Sequence, residues 1–114
     1  MKLKPIKDKK KIEAIFEKGL LIKGNGISLR FLDFGNNECC YGISVPKRVF
    51  PLAVERNLIR RRLRELVRLF EQTDKIPLGV SFFLICSKRS ILKKADVKKN
   101  IGDLLREFIA NHDI

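Results

Sequence analysis

LAVERNLIRRRLRELVRLF, residues 52–70, carries six arginines in nineteen positions and still keeps an apolar stripe. At a helical step of about 100° per residue, Leu52, Ile59, Leu63, Leu66 and Phe70 fall within a narrow arc, with Val67 at its edge. Going round from that edge, Arg56, Arg60, Arg64, Asn57, Arg68 and Arg61 follow in an unbroken sector. Such a helix has one side to bury and one guanidinium-rich side to offer a polyanion. The rest of the chain is expected to hold it up.

Upstream, Pro46-Lys47-Arg48-Val49-Phe50-Pro51 is a loop with two prolines and two cations. Before it, Cys39 to Val45 reads as a strand, with Tyr41, Ile43 and Val45 on one face and Cys40, Gly42 and Ser44 on the other. The second face is small and weakly apolar, which leaves it open to a ligand. Ile27 to Phe34 alternates as a further strand and returns antiparallel through the turn cluster Gly35-Asn36-Asn37-Glu38. Leu20 to Lys23 makes a short strand joined to it by the hairpin signal Gly24-Asn25-Gly26. A first helix is expected from Asp8, a plausible N-cap, to Lys18, with Ile12, Ile15 and Phe16 inward and Gly19 as its stop. Pro5 breaks any earlier helix, and Ile6 can anchor onto the core.

Downstream, Glu71 to Gly79 is rich in breakers, and Val80 to Cys86 is apolar on both faces apart from Ser81, as an interior strand would be. A last helix spans roughly Leu92 to Asn111, with the stripe Ile101, Leu104, Leu105, Phe108 and Ile109. The order αβββαβα predicts an α/β (α+β) two-layer sandwich. The four strands and the basic helix make one domain over 1–114.

Bulk composition points the same way. The chain has 25 Lys+Arg against 13 Asp+Glu, a net charge of +12, and 45% apolar residues. A folded domain that basic meets nucleic acid, an anionic surface or an acidic protein. No run approaches the roughly 18 apolar residues of a membrane span, and the basic N-terminus leads into no apolar signal region. A cytoplasmic location is expected. Cys39, Cys40 and Cys86 are an odd set without paired spacing, best taken as small strand hydrophobes rather than disulfides or metal ligands. His112, the one histidine, belongs to a solvated end. No nucleophile–base set, Gly-rich phosphate loop or HExxH is present, so catalytic and metal-binding protein residues are not expected.

Arginine presents a rigid fork of donors that suits phosphate oxygens and stays charged at any relevant pH. Arg56, Arg60, Arg64 and Arg68 repeat every four residues, a row about 18 Å long on a helix. Neutralising about six phosphates would give a log–log salt slope of about −4 to −5. Asn57 in the same sector can both donate and accept, toward a base edge or a sugar hydroxyl. The bland alternative is a solvated charged face paired through Glu55 and Glu65. The segregation of the arginines by angle argues against it.

Val45-Pro46-Lys47-Arg48, followed by Ala53-Val54-Glu55-Arg56-Asn57-Leu58-Ile59-Arg60-Arg61-Arg62-Leu63-Arg64-Glu65, resembles the protein subunit of bacterial ribonuclease P. That family carries a strand ending V-x-K-[KR], then A-x-x-R-N-x-[IL]-[KR]-R-x-x-R-E on a helix. Phe16-Glu17-Lys18-Gly19 is similar to its F-x-x-G. The resemblance implies a ribosomal protein S5 domain 2-like fold, an α/β (α+β) two-layer sandwich with a four-stranded mixed sheet and a basic central helix, and makes 1–114 a single RNA-binding domain. It also implies a role in removing the 5′ leader of precursor tRNA, with Mg2+ held mainly by a catalytic RNA subunit and no organic cofactor. The implied partners are ribonuclease P RNA and precursor tRNA, with no membrane and no obligate protein partner. By position, Arg56, Asn57, Arg60, Arg61, Arg64 and Arg68 would face the RNA subunit. Phe16, Ser44, Lys47 and Arg48 would serve the single-stranded leader, in a cleft between the first helix and the sheet, where Ile12 replaces an aromatic.

Two positions depart from the family. Leu58 stands where an arginine is common, and Cys86-Ser87-Lys88-Arg89 replaces an Ala-Arg pair, leaving open which cation substitutes. Two other readings compete: a structural RNA binder such as a small ribosomal protein, and a DNA regulator using the arginine helix in the major groove. The prolines just upstream leave no helix-turn-helix partner for the second.

Overall fold

The computed structural model describes residues 3–89 and 94–112. Local signals produce most of its elements. Asp8 caps α1 (Lys9–Lys18) through Oδ1, which accepts from the Lys10 N–H at 2.9 Å. Gly19 ends the helix with its N–H on the Ile15 carbonyl at 2.9 Å. Strand β2 (Leu20–Lys23) turns through Gly26, at φ 84°, into β3 (Ile27–Asp33), and β4 (Cys40–Ser44) leads by the proline loop to α2 (Ala53–Arg68). A short 3-10 turn at Thr73–Lys75 precedes β5 (Val80–Cys86), and α3 (Lys94–His112) is the last described element. The expected start of α3 at Leu92 and the expected solvation of His112 lie outside the described residues.

The sheet has five strands where four were expected, in the order β1 (Lys4–Pro5), β4, β5, β3, β2. The extra strand is β1 (Lys4–Pro5), parallel to β4. It escapes a sequence reading because it is two residues long and holds a proline. The residues flanking Pro5 make the ladder bonds: Lys4 N–H to Cys39 O at 3.1 Å and Ile6 N–H to Tyr41 O at 3.0 Å. The missing N–H therefore falls on the outward side of an edge strand, where proline is tolerated. Parallel β4 and β5 are joined through α2, and β3 runs antiparallel to β5.

One sheet face carries the main core. Ile27, Leu29, Phe31, Phe82 and Leu84 meet Ile59, Leu63 and Val67 of α2 and Ile101, Leu105 and Phe108 of α3 in one cluster. Phe108 sits at its centre, with ring centroids 5.0 Å from Phe31 and 5.2 Å from Phe82. The apolar stripe of α2 differs in one respect from its helical-wheel reading. Leu52 is 62% exposed and precedes the first helical turn, while Val67, placed at the edge, is fully buried. The contact line runs along Ile59, Leu63 and Val67, one turn apart. Helix α1 lies on the opposite face, where Phe16 packs on Phe83 and Arg30 Nη1 donates to Phe16 O at 3.2 Å. No helix among the described residues is long and apolar enough to cross a membrane.

Candidate nucleic-acid interface

Burying Ile59, Leu63 and Val67 fixes the rotation of α2 and turns its arginine sector outward beside the β1–β4 edge. Asn57, Arg60, Arg61, Arg64 and Arg68 line one open groove of about 740 Å3, whose far wall is Leu3 and Tyr41. Five of the six residues expected to face RNA are thus gathered along a single surface. The sixth, Arg56, is half-buried, and its Nη1 donates to Phe50 O and Pro51 O, both at 2.9 Å. That guanidinium is partly committed to the loop before the helix.

Within the groove the cations are loosely held, so a polyanion could capture them. Arg60 Nη1 is 3.4 Å from Asn57 Oδ1, and Arg68 pairs with Glu65 through Nη2–Oε1 at 2.5 Å. The hydrogen bond from Arg68 holds the Glu65 carboxyl below its usual range. Both partners of that pair are exposed, where an ion pair is worth little and is easily exchanged. Arg61 and Arg64 form no ion pair among the described residues. Tyr41 is raised by burial, against an opposing pull from Arg64.

A second groove, about 520 Å3, is lined by Leu3, Pro5, Ile6, Tyr41, Gly42, Ile43, Arg64 and Phe83. It shares Leu3, Tyr41 and Arg64 with the first, so the two are continuous around the sheet edge. The cleft residues expected on the α1 side do not line it directly. Phe16, 39% exposed, reaches it through Phe83, with ring centroids 5.1 Å apart. Gly42 and Ser44 stand opposite Phe83 and Ile85 on β5. Phe16, Phe83, Gly42 and Ser44 therefore form a strip on the α1 face, and Lys47 and Arg48 follow it, exposed, in a turn closed by Phe50 N–H on Pro46 O at 3.0 Å. Ile12 is half-buried.

Sequence reasoning missed Leu3, Tyr41 and Phe83 as groove residues. Tyr41 read as sharing a strand face with Ile43 and Val45, and Phe83 as part of an interior strand apolar on both faces; the one available signal was that Tyr41 is the chain's sole tyrosine. The cysteines behave as hydrophobes: all three are free and buried, and burial pushes Cys39 and Cys86 up to about 12. Among the described residues no three of His, Cys, Asp and Glu gather as metal donors.

A mixed sheet backed by two helices, with a cationic groove along one of them, defines a small nucleic-acid-binding protein of the α/β sandwich type. The ribonuclease P family model matches residues 1–109, and the chain belongs to that family. It is 33% identical over 90 residues to the ribonuclease P protein component of Pseudanabaena sp. (strain PCC 6903), which covers 76% of this chain and 78% of that protein. The RNase P protein from Thermotoga maritima has the same fold, with TM-score 0.75, 22% identity, 91% of this chain covered and 96% of that one. A Staphylococcus aureus RNase P protein mutant gives TM-score 0.76 at 20% identity, covering 90% of this chain and 86% of that one.

Proposed function

We propose that, as the protein subunit of ribonuclease P, this chain grips the catalytic RNA subunit with the α2 groove and steers the 5′ leader of precursor tRNA along the neighbouring α1-face strip. The observation that carries the reading is the convergence of Asn57, Arg60, Arg61, Arg64 and Arg68 on one groove. Guanidiniums in a row match the spacing and charge of an RNA backbone, and they do not suit a divalent cation. The groove residues therefore do not fit a Mg2+ site, and the ion belongs to the RNA subunit in this reading. Hydrolysis of the leader bond is RNA-catalysed, with the protein supplying binding and orientation. The whole of 1–114 acts as one RNA-binding domain in the cytoplasm.

On the leader side, Phe16 offers a partly exposed ring on which an unstacked base can lie, backed by Phe83. Stacking of this kind is worth about 1–3 kcal/mol per base and tolerates any sequence. Lys47 and Arg48 add backbone neutralisation at the end of the strip. The test is reconstitution: bacterial ribonuclease P RNA, precursor tRNA and this protein at low Mg2+, reading 5′ maturation. Stimulation is expected, and its absence would refute the assignment. Arg60→Ala and Arg64→Ala should each weaken assembly with the RNA and flatten its salt slope by about 0.7–0.9. If they lowered only the unfolding temperature, the groove would be a solvated face and nothing more.

A further inference from the structure

The loop between β4 and α2 carries Lys47 and Arg48, and surface cations contribute little to recognition unless their backbone is fixed. Three consecutive carbonyls of that loop, those of Val49, Phe50 and Pro51, each accept a hydrogen bond from a guanidinium. Arg56 takes Phe50 O and Pro51 O, both at 2.9 Å. Arg89 reaches in from the exit of β5, with Nη1 3.3 Å from Val49 O and Nη2 2.9 Å from Glu55 Oε2. Its guanidinium also lies 5.7 Å from the centroid of the Phe50 ring, and Phe50 is a wholly buried plug under the loop. Glu55 occupies the first turn of α2, where the helix dipole also favours a carboxylate. The loop is held between the start of one helix and the end of the central strand.

An exposed arginine close to Lys47 and Arg48 would ordinarily be assigned a phosphate of its own. Here the guanidinium is engaged by a carboxylate, a carbonyl and a ring. We propose that Arg89 and Glu55 form a clasp that sets the 46–51 loop so that Lys47 and Arg48 face the RNA, and that Arg89 is a positioning residue rather than an RNA contact. Of the two cations after β5, Arg89 is the one committed to the loop, through Val49 O and Glu55. The proposal rests on the ribonuclease P reading. It assigns a supporting role to an acidic residue that simple electrostatics would call unfavourable beside RNA.

The opposite signs of these two expectations make the test. The full chain binds ribonuclease P RNA across a salt series, as wild type, Glu55→Ala and Arg89→Ala, and with each change repeated in a Lys47→Ala/Arg48→Ala background. The clasp predicts that Glu55→Ala weakens binding roughly tenfold, about one charge-assisted contact, although it makes the protein more positive. Arg89→Ala should match it, both should lower the salt slope, and neither should matter once Lys47 and Arg48 are gone. The reversed pair Glu55→Arg/Arg89→Glu should recover part of the loss, which a purely stabilising role would not separate from charge. Tighter binding by Glu55→Ala with a steeper slope overturns the clasp. So does an Arg89→Ala loss that persists in the Lys47→Ala/Arg48→Ala background. Where an alanine variant is unfolded in the assay, Glu55→Gln and Arg89→Lys take its place with the same expected signs. Failure of the wild type to bind the RNA would count against the assigned function, not against the clasp.

Discussion

Gly42→Ala tests the proposed leader strip at its tightest point. A β-carbon on Gly42 would come within 3.0 Å of the Phe83 ring atoms Cε1 and Cζ, and 3.0 Å from Ile6 Cγ2. Relaxing to an ordinary contact of about 3.5–4.0 Å requires the ring to move by about 1–1.5 Å. Phe83 is only 8% exposed and already packs against Phe16, so the movement must disturb that pair. Overpacking of this sort costs about 1–3 kcal/mol, of which a lost aromatic pair accounts for about 0.5–1.5. At about 4 °C per kcal/mol for a domain of this size, the unfolding temperature should fall by about 4–12 °C. Function should split: poorer use of precursor tRNA with a leader, and a smaller loss of affinity for the RNA subunit, because Asn57, Arg60, Arg61 and Arg68 line the α2 groove, which Gly42 and Phe83 do not reach. Urea unfolding gives the first number, and cleavage kinetics beside RNA-subunit binding give the second. Unchanged stability would mean Phe83 is not held as described. Equal loss of RNA-subunit affinity would refute the separation of the two surfaces.

Other perturbations follow from the same geometry. Leu63→Ala, at a position 1% exposed under α2, should cost about 2–5 kcal/mol in urea unfolding, a large share of a typical domain's stability. Leu58→Arg, at a position 46% exposed, should leave stability within about 0.5 kcal/mol and make the salt slope of RNA binding steeper by just under one. Stability should be flat at neutral pH and fall from about pH 9 toward about 12. Burial lifts Cys39 and Cys86 from 9.0 to about 12, so over that window the unfolded chain loses thiol protons that the folded one keeps. Chemical denaturation across pH should show the decline, and Cys86→Ala should make it shallower.

Much of the fold can be read from local pattern. Asp8 and Gly19 bracket α1 because a cap and a stop are local chemistry. Val80–Cys86 reads as an interior strand because a strand buried on both faces has no polar alternation, and β5 does lie between two neighbours. The pairing of β4 with a two-residue β1 was not legible. It depends on where the chain before α1 meets an edge, and no periodicity exists in so short a segment. Leu52 was misplaced for a related reason: a helical wheel assumes that the helix continues, and here it begins one residue later.

The candidate site divides in the same way. Sequence alone determined that α2 would bury one side and turn an arginine sector outward, since both follow from the angular step of a helix. It also determined, through the motif at residues 45–65, the family to which the chain belongs. Only the tertiary structure decided how the six candidate residues are deployed. Five line a groove whose other wall comes from Leu3 and Tyr41, far apart in sequence, while Arg56 turns to the carbonyls of Phe50 and Pro51. It likewise decided that Arg89 meets Glu55 across 34 residues of chain. A guanidinium's charge is a property of its residue type, but what that charge is used for depends on the acceptors that packing brings within about 3 Å of it.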